Sequence, residues 1–156
     1  MKYNKEKFMK EALKGAKKAY EKLEVPIGAV IVKDNKIIAR GHNLKEEKQS
    51  TIKHAEIIAI EKASKKLNNW RLSDCEMYVT LEPCPMCAGA ILNSRIKKVY
   101  IGVMDGRTGA CGSRINILQN IEFDTECGIE TGILKQECKD LLQEFFKKLR
   151  KLKKEG

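Results

Sequence analysis

The apolar residues Phe8, Met9, Ala12, Leu13, Ala16, Ala19, Tyr20 and Leu23 recur with lysines between them. That is the 3.6-residue period of an amphipathic helix, and Pro26 predicts its end. Gly28 to Val32 and Ile37 to Gly41 flank a polar Lys33-Asp34-Asn35-Lys36 turn, which predicts a β-hairpin. A polar stretch from His42 to Lys53 reads as a loop, and Ala55 to Leu67, apolar almost all round, as a helix buried on most sides. The β-rich Met77 to Leu81 feeds at once into Pro83 to Leu92, which opens with proline and stays apolar. This is the pattern of a strand entering a helix through a tight turn.

Val99 to Val103 predicts another strand, and Asp105 to Ser113 a glycine-containing loop. Leu134, Cys138, Leu141, Leu142, Phe145, Leu149 and Leu152 fall on one face of a last helix that runs from about Leu134 into a basic tail. Helices alternating with short strands predict an α/β fold. The expected architecture is three layers, α/β/α, with a mixed central sheet of about five strands and helices on both faces. No repeat or linker divides the chain, so residues 1–156 are expected to form one domain, with residues 134–156 as its basic helix and tail.

Composition narrows the class. A chain of 156 residues buries roughly two-thirds of its unfolded surface, enough for a core without disulfides. With 42% hydrophobic residues it is no disordered chain. Its longest apolar stretches fall far short of the ~18 residues that span a bilayer, and Met1 to Phe8 lacks the apolar segment of an export signal. A cytoplasmic address, with no membrane partner, is the expectation. The six cysteines, Cys75, Cys84, Cys87, Cys111, Cys127 and Cys138, are unevenly spaced and are expected to be reduced.

The formal charge is +10, yet lysine supplies 25 of the 31 basic residues beside 16 isoleucines. Genomic base composition alone can produce that bias, so distribution is the better guide. Lys147 to Gly156 holds six basic residues and one acid, Met1 to Lys22 eight and three, and residues 120–130 four acids and no base. Basic termini suit a polyanion such as RNA; a solvated helix face accounts for either one nearly as well.

The chemistry-bearing residues are His54-Ala55-Glu56 at the start of one predicted helix and Pro83-Cys84-Pro85-Met86-Cys87 at the start of another. Cys84 and Cys87, three apart on one helix face, can chelate a single metal, and a helix N-terminus favours thiolate over thiol. His54, in the first turn of its helix, offers a neutral nitrogen. Glu56, two residues on, would point about 200° away on an ideal helix, so only an irregular helix start lets both reach one pocket. H-x-E by itself is common, but this composition yields roughly 0.004 chance matches to P-C-x-x-C. A redox pair leaves His54 and Glu56 without a use. A structural zinc site wants a fourth strong ligand; His42 is the only other histidine and the remaining cysteines are scattered, which leaves a closed Cys3His or Cys2His2 site as an unsupported alternative. Three ligands, an open position and a free carboxylate are the set that catalytic zinc needs.

Together with Val25-Pro26-Ile27-Gly28-Ala29-Val30, Asn43, Tyr78 through Cys84, Met86 through Ala90, Ser94-Arg95-Ile96, Asp105 through Gly109 and Gly112-Ser113, these motifs resemble the bacterial tRNA-specific adenosine deaminases. Those belong to the zinc-dependent cytidine/deoxycytidylate deaminase superfamily. The resemblance runs from about Phe8 to the tail and implies a cytidine deaminase-like fold. It further implies hydrolytic conversion of the wobble adenosine of a tRNA anticodon to inosine, one zinc ion per subunit held by His54, Cys84 and Cys87, and Glu56 as the proton carrier. Asn43, Ile27, Ala55, Pro83 and Asp105 would contact the substrate; the plain alternative for Asn43 is a cap on the loop after the hairpin. Lys147, Lys148, Arg150 and Lys151 would meet the RNA backbone of the anticodon stem-loop, and the family works as a homodimer. Two other functions compete: deamination of a free base or nucleotide, such as guanine or cytosine, on the same fold, and a non-catalytic zinc-containing RNA-binding module.

Overall fold

The computed structural model describes residues 2–155. Met1 and Gly156, the outer ends of the expected domain and tail, lie outside the described residues.

The first helix, α1, spans Lys2–Glu21 and so begins before the apolar period does. Pro26 does not end it. The N–H of Leu23 bonds to the carbonyl of Tyr20 and that of Glu24 to the carbonyl of Ala19, with Leu23 in the left-handed region at φ 58°. This pair of reversed bonds closes the helix one turn ahead of the proline. The hairpin follows as β1 (Gly28–Lys33) and β2 (Lys36–His42). Within the expected loop lies a short helix, α2 (Lys45–Lys48), which no apolar pattern announced. Then come α3 (Ala55–Leu67), β3 (Cys75–Leu81), α4 (Pro85–Asn93), β4 (Lys98–Val103), β5 (Gly128–Thr131) and α5 (Lys135–Glu155).

The five strands form one mixed sheet in the order β2-β1-β3-β4-β5. β1 is antiparallel to β2 and β3, whereas β3-β4 and β4-β5 are parallel. Alternating side chains divide the core into two layers. Ala29, Ile31, Met77, Val79, Val99 and Ile101 pack with residues of α3 and α4 on one face. Val30, Val32, Tyr78 and Tyr100 pack with Phe8, Met9, Ala12, Leu13 and Cys138 of α1 and α5 on the other. The expected three layers are therefore present.

Gly41 sets how closely α3 lies on β2. A β-carbon there would collide with the carbonyl of Ala55 and stand 2.9 Å from the nitrogen of Ala59. The first turn of α3 therefore rests on bare backbone, and that turn carries Glu56.

Candidate active site

One edge of the sheet collects the predicted site. Because β1 is antiparallel to both neighbours, β2, β3 and β4 all end at the same edge, and β1 begins there. Ile27 precedes β1, Asn43 follows β2, Glu82 to Cys84 follow β3, and Asp105 lies just past β4. Open α/β sheets hold ligands at such strand ends, where loops converge without disturbing the core.

His54 is the residue that caps α3, with φ −83° and ψ 154°, and Cys84 caps α4 with φ −75° and ψ 174°. Both have extended backbone. This corrects the expectation of a helical first-turn histidine and removes its angular difficulty, since His54 lies outside the helix cylinder on which Glu56 is the second residue. Pro85 takes the first position of α4, where a missing N–H costs nothing. Cys87 then sits three residues past the cap and is fully buried.

His54 Nδ1 lies 3.7 Å from Cys84 Sγ and 3.5 Å from Cys87 Sγ, and the three donor atoms are mutually within 4.8 Å. Tetrahedral zinc, with bonds of about 2.3 Å to sulfur and 2.05 Å to nitrogen, requires a sulfur–nitrogen separation of about 3.6 Å. The donor set fits the ion. Among the described residues no fourth histidine, cysteine or carboxylate joins this group, which leaves one tetrahedral position without a protein ligand.

The same closeness perturbs every titratable group in the cluster. Cys84 is lowered to about 4, first by the Cys87 thiol and then, against the effect of burial, by His54 and the Cys87 backbone N–H. Cys87 is pushed far up, by the Cys84 sulfur and by burial. His54 is raised, chiefly by its bond to Cys84. Glu56 is raised to about 7 because burial removes its water. Glu56 is outside the donor set, yet it is close enough to Cys87 to be among the groups that raise it.

The other predicted residues differ in how free they are. Ile27 is half-buried against the core, and its carbonyl accepts the N–H of Asn43 at 3.1 Å. Asn43 is buried; its Nδ2 donates to the carbonyl of Val25 at 3.4 Å and its Oδ1 accepts the N–H of Lys45 at 3.3 Å. The loop-capping role is thus present in the structure. Ala55 has no exposed surface, and buried Pro83 accepts the N–H of Ala110 at 2.9 Å. Asp105 is half-exposed, with Oδ1 accepting the N–H of Arg107 at 2.9 Å and Oδ2 the hydroxyl of Thr108 at 2.9 Å.

Comparison with known proteins follows the same lines. A model of the MafB19-like deaminases matches residues 3–150. The tRNA-specific adenosine deaminase of Bacillus subtilis (strain 168) is 52% identical over 149 residues, 96% of this chain and 92% of that protein. The chain belongs to the tRNA-specific adenosine deaminases. A solved structure from work on A-to-I editing by tRNA:A34 deaminases at the wobble position superposes with a TM-score of 0.84 at 39% identity, covering 86% of this chain and 98% of the other. A guanine deaminase from Bacillus subtilis superposes less well, with a TM-score of 0.62 at 43% identity over 64% of each chain.

Two carboxylates of this deaminase carry structure that sequence reasoning did not assign. Glu24, 1% exposed, accepts the N–H groups of Glu46 at 3.0 Å and Glu47 at 2.7 Å, and so holds α2 beside Asn43. Glu82, 3% exposed, holds the loop after β4. In sequence each is a lone charge in an otherwise uncharged run, Leu23 to Ile27 and Met77 to Cys84, which marks the position but not what it holds. In the C-terminal half of α5, Lys147, Lys148, Arg150 and Lys151 are all exposed. With Tyr20, Glu144 and Lys154 they line an open hollow of about 560 Å³, and Lys148 Nζ lies 5.1 Å over the Tyr20 ring. No helix among the described residues is long and apolar enough to cross a membrane.

Proposed function

We propose that this protein is a zinc-dependent hydrolase that converts adenosine to inosine at the wobble position of a tRNA anticodon. The observation that carries the zinc chemistry is the geometry of His54, Cys84 and Cys87, whose sulfur–nitrogen distances of 3.7 and 3.5 Å meet the requirement of one tetrahedral zinc ion, with the carboxylate of Glu56 outside the set; the substrate is supported by membership of the tRNA-specific adenosine deaminases. Bound there, zinc supplies the Lewis acidity that makes water a nucleophile at neutral pH.

Glu56 handles the protons. It takes one proton from the water that attacks C6 and gives it to N1 of adenine, then takes the second from the hydroxyl now on C6 and gives it to the departing N6, which leaves as ammonia while C6 becomes a carbonyl. Its burial at the start of α3 shields that traffic from bulk solvent. Asn43 orients the nucleotide by hydrogen bonds, exchanging part of its present loop contacts for the base or ribose, and Ile27 gives the base an apolar wall. Ala55 and Pro83 are buried, so they serve through main-chain groups. Asp105 meets the flanking nucleotide, and the exposed Lys147, Lys148, Arg150 and Lys151 meet backbone phosphates of the anticodon stem-loop. The homodimer implied by the family resemblance belongs to the same proposal, and sedimentation equilibrium would give twice the 17.7 kDa mass of the chain.

The substrate class is tested with zinc-loaded protein on an anticodon stem-loop bearing adenosine at the wobble position, with guanine, cytosine and cytidine assayed in parallel. Inosine in the RNA and no turnover of the small molecules is the expected result. Turnover of a free base with an unreacted RNA would overturn the substrate and favour the guanine or cytosine alternative.

A further inference from the structure

Glu82 is a buried carboxylate with no cationic partner among the described residues. Its neighbours are donors from a single loop. Oε1 accepts the N–H of Asp105 at 2.8 Å and the hydroxyl of Ser113, and Oε2 accepts the N–H groups of Cys111 and Ser113, each at 3.0 Å. The loop closes down so far that a β-carbon on Gly109 would overlap the carboxylate itself. The adjoining Pro83 carbonyl takes the N–H of Ala110 at 2.9 Å, so the loop is fastened to the chain immediately before Cys84. A charge buried without a counter-ion is a costly way to hold a loop whose Ala110 and Cys111 already pack into the main core.

We propose that Glu82 is a positioning residue for substrate: it fixes the Asp105–Ser113 loop against the rim of the site so that the loop presents a preformed surface to the nucleotide next to the reacting base. This rests on the RNA-deaminase reading. Three backbone N–H groups that would otherwise fluctuate in water converge on one carboxylate, and the first of them belongs to Asp105. Preorganised loops bind with less lost freedom, so the anchor acts on substrate capture and leaves the chemistry at C6 to Glu56.

The test is Glu82→Gln. An amide keeps one acceptor and turns the other into a donor. The orientation that loses least sets its NH2 against Ser113 Oγ, which can accept, and leaves the Asp105 N–H without a partner. The expected result is a KM for the stem-loop raised about ten- to a hundredfold, kcat within about threefold, and zinc still at one per chain. Hydrogen exchange should speed up at the amides of Asp105, Cys111 and Ser113 and stay unchanged in β3. Gly109→Ala leaves Glu82 intact but displaces its carboxylate, so it should give the same split should Glu82→Gln fail to fold. Ser113→Ala removes only the hydroxyl donor and should raise KM less than about threefold. An unchanged KM on RNA that the wild type deaminates overturns the proposal. So does a fall in kcat with loss of zinc at constant KM, which would make Glu82 a support for Cys84. Absence of inosine from the wild type would refute the substrate reading instead, and Kd for the same RNA, measured alongside, then decides the role of the anchor.

Discussion

Replacing Lys147, Lys148, Arg150 and Lys151 together by glutamine should weaken RNA binding by an amount that follows from their placement. All four side chains are exposed, and none is ion-paired with an acid among the described residues. Their charges are therefore available to phosphate. Each phosphate contact contributes about 0.7 to 0.9 to the slope of log K against log salt, so four contacts amount to roughly 3 in slope and about a thousandfold in affinity at 0.1 M salt. The fold should hardly register the change. The last buried residue of α5 is Phe145, so the substitutions cost only the Lys148–Tyr20 contact, under about 1 kcal/mol. Filter binding of the stem-loop from 50 to 300 mM salt reads the slope, and thermal unfolding checks the fold. A slope that stays at the wild-type value would refute the assignment of this helix to the RNA.

Phe145→Ala attacks the same helix from its buried side. The ring is 2% exposed and meets Tyr20 edge-on at 5.9 Å, so its loss should cost about 3 to 5 kcal/mol and lower Tm by roughly 6 to 20 °C in calorimetry. Gly41→Ala pushes a methyl group against the backbone of α3 and should cost about 1 to 3 kcal/mol; kcat should fall with it because Glu56 rides on that turn, which thermal melts and initial rates together would show. Cys87→Ala leaves two metal ligands. Zinc affinity, measured by chelator competition, should drop more than the ten- to hundredfold that follows loss of an outer-shell partner, with Tm falling as well because bound metal stabilises the folded chain.

Much of this molecule is legible in its sequence where local pattern and final structure agree. Ala55 to Leu67 carries a helical apolar pattern, and α3 has those bounds; it is amphipathic and not buried on most sides, because Glu61, Lys62, Lys65 and Lys66 face solvent. The hairpin turn and the proline-led start of α4 likewise depend on residues close in sequence. The closeness of Cys84 and Cys87 was readable because a cap position and the third residue beyond it bring two cysteines to one point on any helix. What stayed hidden is tertiary in origin. β5 has four residues, Gly128–Thr131, none fully buried, so it shows no alternation and exists through its parallel pairing with β4. Lys45–Lys48 has no apolar residue at all; α2 is held by Glu24, more than twenty positions earlier. Glu82 was equally silent, because its partners are backbone N–H groups 23 to 31 positions away, and a backbone donor leaves no mark on residue type. The helical placement of His54 failed for a related reason: a capping residue is extended even when it opens a helix.

The central claim is that His54, Cys84 and Cys87 hold the metal while Glu56, outside the set, moves the protons. Inosine formation by wild-type protein and by Glu56→Gln on the same anticodon stem-loop, with zinc counted in both samples, tests it most directly. One zinc ion per chain in each, with inosine from the wild type and a rate at least about a hundredfold lower in the variant, is the predicted result. Inosine from Glu56→Gln at the wild-type rate, or loss of zinc from that variant alone, would contradict it.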